Sequence, residues 1–247
     1  MAELRVAAAS QEGLVRTRNE DAYVVGRHLW AVADGLGGQA AGAVASRIAA
    51  RCLTAYDNLD EVDQLGIAAL MGRVNEDILE YGAKHPRSAG LGTTVAGVAQ
   101  LQLAGRDHWL VFNVGDSRVY RLADGCLTQE TVDHSEVQRL VDEGSITPEE
   151  ARTHPDRNVL TRCLGTAQVP SVEMRVVPAG PGDRLLVCTD GLTAELDDGT
   201  IASVLSMASG PDEAVGQLVA GALSNGGHDN VTVIVVEVSG GATRGSI

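Results

Sequence analysis

The stretch LLVCTDG at 185–191 is a short apolar run that stops at an aspartate and a glycine. A run of this length and composition, ended by turn residues, predicts a buried strand entering a turn. The arrangement recurs along the chain. WAVADG ends at Asp34 and Gly35, VFNVGDS reaches Asp116, and in HDNVTVIVV the aspartate, Asp229, precedes the run. A further acidic pair, Glu20 and Asp21 in NEDA, leads into the strand that follows it. One strand-end aspartate followed by glycine is an ordinary turn residue. Four aspartates abutting apolar runs, two of them followed by glycine, imply carboxylates gathered on one rim, provided the strands are neighbours.

Outward from these runs, stretches rich in Val and Leu near 4–9, 22–33, 93–103, 108–114, 117–122, 172–177, 184–188 and 231–238 predict strands. At 40–56 and 59–83, Ala, Leu, Ile and Val recur at helical spacing without internal proline, and two more helices fit 197–207 and 211–224. Strands come in groups and helices in groups, the pattern of a layered α+β domain and not of alternating βαβ units. With no hinge or low-complexity linker, residues 1–238 read as a single domain. The polar segment 133–165 carries Pro148 and Pro155 and two short helical pieces around 135–143 and 147–152. It reads either as a flap beside a binding site or as a surface excursion. The ending SGGATRGSI at 239–247 reads as a flexible tail.

A chain of 247 residues, 44% hydrophobic, can bury a substantial core. Its 19 Lys and Arg against 33 Asp and Glu give a formal charge of −14, which opposes binding to nucleic acid or anionic membranes. A polyanionic ligand then needs a local source of positive charge. Cys52, Cys126, Cys163 and Cys188 lack metal-type spacing and stand among apolar neighbours, so buried free thiols in a reducing compartment are expected. Neither a leader-like N-terminus nor an apolar run approaching about 18 residues is visible, which points to a cytoplasmic protein.

Carboxylates crowded on one rim repel each other unless cations lie between them. Oxygen-only ligands suit hard cations, so Mg²⁺ or Mn²⁺ is the expected tenant. Arg16, four residues before Glu20 in VRTRNED, taken alone reads as a surface arginine, but it is placed where a guanidinium could fork onto a phosphate held by the metals. The six histidines form no catalytic constellation, and His28 and His108 read as structural or solvated.

At these residues the sequence resembles the type 2C protein phosphatases, the metal-dependent PPM family, and most of all its compact bacterial members. The matching segments are VRTRNEDA at 15–22, VADGLGGQAAG at 32–42, GTT at 92–94, NVGDSRVYR at 113–121, the stretch 133–165, LLVCTDGL at 185–192 and HDNVTVI at 228–234. The resemblance implies a central sandwich of two antiparallel β-sheets flanked by helices, with metals in a channel at one end. It implies that Asp21 and Asp34 sit between two metals, Asp34 bridging with the carbonyl of Gly35, while Asp190 and Asp229 complete one side. Glu20 would act through metal-bound water, Asp116 with Asp190 would hold a third metal as in bacterial relatives, and Arg16 matches the family's phosphate-binding arginine. Segment 133–165 aligns with the family's flap. Two positions depart from the pattern. Eukaryotic relatives place a histidine, a proposed general acid, after the DG pair, where this chain has Leu36. Many bacterial members place one after the next GG pair, where this chain has Gln39. Proton delivery then falls to metal-bound water or to another residue.

The resulting expectation is a monomeric phosphatase that hydrolyses phosphoserine and phosphothreonine by direct attack of a water bridging two metals, without a covalent intermediate. Its partners would be phosphorylated proteins, a Ser/Thr kinase and its targets among them, and some family members serve a single phosphorylated anti-sigma-factor antagonist. One alternative is a catalytically weak regulatory binding module with the same fold, against which the intact acidic set speaks. A two-metal nuclease shares the ion chemistry but fits the negative charge poorly.

Overall fold

The computed structural model describes residues 3–37, 41–59, 62–88 and 90–239. The readings made for Gln39 and for 240–247 therefore lie outside the described residues. The strands are β1 Leu4–Gln11, β2 Ala22–Val25, β3 Leu29–Ala33, β4 Gly35–Leu36, β5 Gly92–Thr93, β6 Val95–Leu103, β7 Arg106–Val114, β8 Arg118–Ala123, β9 Cys126–Gln129, β10 Glu173–Pro178, β11 Arg184–Cys188 and β12 Val231–Val238. The helices are α1 Ala41–Asp57, α2 Gln64–Lys84, α3 Glu136–Asp142, α4 Pro148–Ala151, α5 Asp190–Thr193, α6 Asp198–Met207 and α7 Pro211–Ser224.

Two antiparallel five-stranded sheets, ordered β1-β12-β11-β8-β9 and β10-β7-β6-β3-β2, pack face to face, and β4 pairs with β5 beside them. The apolar runs are continuous because both faces of each central strand are covered. On β12, Val231, Val233 and Val235 pack toward α6 and α7, while Ile234, Val236 and Val238 enter the space between the sheets. Leu186 and Cys188 of β11 face those helices, while Leu185 and Val187 face the opposite sheet. On the other sheet, Leu110, Phe112 and Val114 of β7 meet α1 and α2, and Trp109 and Val111 point between the sheets. The period of two thus survives in the packing although the residue types do not alternate. Each such buried side chain contributes about 1.5–3 kcal/mol. Between the sheets Trp30 and Trp109 meet edge to face with ring centres 6.0 Å apart, and neither indole N–H finds an acceptor.

Three expectations are corrected. The run 22–33 is two strands, because the amides of Arg27 and His28 turn to donate to the Asp57 carboxylate at 2.7 and 2.8 Å. The second helix starts at Gln64 and not near 59, since Asp63 caps it by accepting from the Gly66 amide at 2.6 Å. All four cysteines are free, but only Cys188 is buried, with Cys126 exposed on the edge strand β9.

Segment 133–165 leaves the sandwich after β9 and is tied down at both ends. At its start Arg118 forks onto Asp133 at 2.6–3.0 Å, and the Gly115 amide donates to His134 Nδ1 at 3.0 Å. Burial, reinforced by the Arg162 charge, lowers the His134 pKa to about 4. At its end the buried Asn75 of α2 accepts the amides of Gly165 and Thr166 at 2.7 and 3.1 Å.

Candidate active site

The strand-end aspartates converge at one end of the sandwich. Asp34 follows β3, Asp116 lies between β7 and β8, Asp190 follows β11 and Asp229 precedes β12. With Glu20, Gly35, Arg16 and Arg18 they line a cleft of roughly 210 Å³, which segment 133–165 borders through Asn158 and Leu160. Leu36, Gly37 and Asn230 complete its lining. Asp21 is not part of that lining and stands behind the rim. Its Oδ2 accepts hydroxyl protons from Thr232 at 2.6 Å and Thr189 at 3.0 Å, while Oδ1 is shut off from solvent without a partner.

The backbone is built to present these groups. The carbonyl of Asp34 accepts from the Thr94 amide at 2.9 Å and the Thr93 hydroxyl at 2.8 Å, and its amide donates to Thr94 Oγ1 at 3.1 Å. Thr94 is itself bonded to Ser117 beside Asp116, at 2.7 Å. The Asn230 side chain staples the loop after β1 to β12. It accepts from the Glu20 amide at 2.8 Å and donates to the carbonyls of Glu12 and Arg18, each at 2.9 Å. Glycine is required at 35, where a Cβ would collide with the carbonyls of Gly42 and Glu20, and at 191, where it would strike the Asn230 carbonyl.

Removal from water dominates the electrostatics. Burial pushes the Asp34 carboxyl well above the usual range, helped by the charges of Asp190, Asp21 and Asp116. Asp116 rises in the same way, through burial and then Asp190 and Asp133. Asp190 is raised by burial and by Asp229. Asp21 reaches about 7 because burial outweighs its two threonine donors. Arg16 donates to Asp229 at 2.6 Å, and that bond, with the charges of Asp229, Asp34 and Asp190, holds its guanidinium more firmly protonated.

The cleft lining among the described residues offers carboxylate, carbonyl and amide oxygens and no sulfur or imidazole. Such a donor set suits hard divalent cations. The Asp190 carboxyl lies in hydrogen-bonding contact with that of Asp34, and Asp190 Oδ1, like Asp21 Oδ1, is buried without a donor among the described residues, as a ligand oxygen for a cation would be. No three Asp, Glu, His or Cys side chains among the described residues are drawn tightly enough to enclose one ion. Asp229 is ion-paired to Arg16, and Asp21 accepts from its threonines.

Residues 15–210 match the family model described as Protein phosphatase 2C. The chain belongs to the protein phosphatase 2C family. It is 44% identical over 241 residues to the serine/threonine protein phosphatase PstP of Mycobacterium tuberculosis, over 95% of this chain but 45% of that protein. The chain thus spans about half the length of PstP. It is 35% identical to the serine/threonine phosphatase stp of Listeria monocytogenes, over 92% of this chain and 93% of that protein. The crystal structure of the PstP catalytic domain in complex with two manganese ions superimposes with a TM-score of 0.84 at 41% identity, covering 96% of this chain and 98% of that one. The fold is that of the bacterial serine/threonine protein phosphatases of the 2C type.

All the cleft residues expected from the 2C motifs lie at this end of the sandwich, Asp21 behind the others. Sequence reading missed Thr189, Thr232, Thr94, Ser117 and Asn230, which hold them, and Arg18 and Asn158, which line the cleft. For Thr189 and Thr232 a signal existed. Each is a hydroxyl in or next to an otherwise apolar strand buried on both faces, where an unpaired polar group is costly.

Proposed function

We propose that this chain hydrolyses phosphoserine and phosphothreonine in proteins with the help of two divalent cations, Mg²⁺ or Mn²⁺, held by Asp34, Asp190, Asp229 and the Gly35 carbonyl. The observation that carries the reading is the gathering of Asp34, Asp116, Asp190 and Asp229 in one all-oxygen cleft, with Asp190 Oδ1 buried there without a hydrogen-bond donor among the described residues. Bare anionic oxygens in that position are costly, and hard cations are the partners that match them. The two manganese ions of the PstP catalytic domain support the count. Asp116, close enough to Asp190 for their charges to interact, provides for a third ion. When bound, the cations polarise water and neutralise charge on the phosphoryl group.

Arg16 binds the phosphate oxygens, exchanging its bond to Asp229 for a forked one to the substrate. Glu20, on the cleft wall with its amide fixed by Asn230, orients attacking water. Leu36 at the cleft leaves no imidazole at the position where eukaryotic relatives carry one. Segment 133–165, pinned at both ends and bordering the cleft, acts as the flap of a catalytic domain comprising 1–238. Partners are phosphorylated proteins, among them a Ser/Thr kinase and its targets. No helix among the described residues is long and apolar enough to cross a membrane. Three free thiols that are not deeply buried fit a cytoplasmic domain.

The test offers the chain a phosphothreonine peptide and single-stranded DNA, each with Mn²⁺. Phosphate release without DNA cleavage is expected, with kcat/KM about 10- to 100-fold lower in Arg16→Ala, the worth of a charged hydrogen bond. Unchanged kinetics in that variant would remove Arg16 from phosphate binding. No release with any divalent metal would favour the regulatory binding module.

A further inference from the structure

Arg16 and Arg18 open on the same cleft but are held differently. Arg16 is ion-paired to Asp229 and feels the charges of Asp34 and Asp190. The Arg18 guanidinium has no hydrogen bond or ion pair among the described residues, and it is exposed. An ordinary surface arginine is also free, but the position of this one is fixed. Its carbonyl accepts from Asn230 Nδ2 at 2.9 Å, and Asn230 is buried, adjoins Asp229 and also anchors the Glu20 amide. Asn158, on the segment that borders the cleft, likewise has an exposed side-chain amide without a partner among the described residues. The cleft therefore presents one committed arginine, one uncommitted arginine and a free amide above a group of carboxylates.

We propose that Arg18, with Asn158, forms a subsite for an anionic side chain flanking the phosphorylated residue of the substrate, a carboxylate or a second phosphate. The inference rests on the phosphatase reading of the cleft. Arg16 and the cations account for the transferred phosphate, which leaves Arg18 without a catalytic partner and without an intramolecular one among the described residues. A guanidinium fork matches the oxygens of either anion. In a chain of net charge −14, acidic substrates meet general repulsion, so one cation on an anchored backbone at the cleft has a disproportionate effect on which of them are accepted.

The experiment measures kcat/KM on matched phosphothreonine peptides whose neighbouring residue is Ala, Glu or a non-hydrolysable phosphonate. Wild type, Arg18→Ala and Arg18→Lys are compared in saturating Mn²⁺ at low and high salt. The readout is the ratio of anionic to neutral peptide, from which any general loss of activity cancels. Wild type should prefer the Glu peptide about two- to fivefold, the range of an exposed ion pair, with the preference weakening in salt. Arg18→Ala should bring the ratio to one and Arg18→Lys should retain part of it. The Glu and phosphonate arms show which anion the subsite takes better. Equal rates on all peptides in wild type, or a preference that survives in Arg18→Ala, would overturn the proposal. Mn²⁺-dependent hydrolysis of p-nitrophenyl phosphate, which has no flanking residue, reports the chemical site separately. Its absence in wild type would overturn the phosphatase reading itself.

Discussion

Withdrawing divalent metal should make the stability of this fold fall as pH rises. Asp21, Asp34, Asp116 and Asp190 all have carboxyl groups raised above their ordinary values, in each case by burial first. An acid with a raised pKa in the folded state holds a proton that the unfolded chain has already released. Its stabilising effect is complete below the unfolded value and is lost as pH climbs through the folded one. For Asp21 the window runs from 3.8 to about 7. Between pH 5 and 7 about 1.7 units are lost, because the group is half ionised at its own pKa, or about 2 kcal/mol at 1.36 kcal/mol per unit. In a chain of this size each kcal/mol moves Tm by about 2–4 °C, so Asp21 alone should lower Tm by roughly 4–8 °C. The assay is thermal unfolding followed by circular dichroism at pH 5, 6, 7 and 8, in EDTA and in Mn²⁺. Tm in EDTA should fall across the series. If Mn²⁺ binds the ionised folded cluster as proposed, it should remove most of the slope. A Tm in EDTA that stays level or rises with pH would refute the burial argument.

Three further outcomes follow from the same geometry. Thr232→Val deletes the 2.6 Å hydrogen bond to Asp21 Oδ2 at nearly constant volume and should weaken Mn²⁺ binding, measured by titration calorimetry, by about tenfold, while Thr232→Ser restores it. Asn75→Ala leaves the amides of Gly165 and Thr166 without their acceptor and should cost about 1–3 kcal/mol in urea unfolding, with faster hydrogen exchange at those two amides. Gly191→Ala drives a methyl group into the Asn230 carbonyl and should remove phosphatase activity even where circular dichroism shows a folded protein.

Sequence made the rim of the site legible for a physical reason. Strands such as LLVC and VTVIVV are buried on both faces, so they read as unbroken apolar runs, and the aspartates stand out where those runs stop. Elements settled by distant partners were not legible. The break between β2 and β3 depends on Asp57, some thirty residues away, and the first turn of α2 on its Asp63 cap. The edge strand β9, CLTQ, is short and half exposed and carries no periodic signal. Local composition likewise misled the reading of the cysteines, because Cys126 has apolar neighbours in sequence but lies at a sheet edge. The threonines around Asp21 were overlooked because a hydroxyl becomes informative only when its acceptor, here 168 or 211 residues away, is known.

The most direct test of the account compares hydrolysis of p-nitrophenyl phosphate by wild type and Asp190→Asn, each with EDTA and with Mn²⁺. Asp190 interacts with the charges of Asp34, Asp116 and Asp229 together, and its Oδ1 finds no hydrogen-bond donor among the described residues. Wild type should turn over only with Mn²⁺, and the variant should lose that turnover while remaining folded. Equal Mn²⁺-dependent rates in the two proteins, or wild-type activity that persists in EDTA, would contradict a carboxylate-held metal centre as the seat of catalysis.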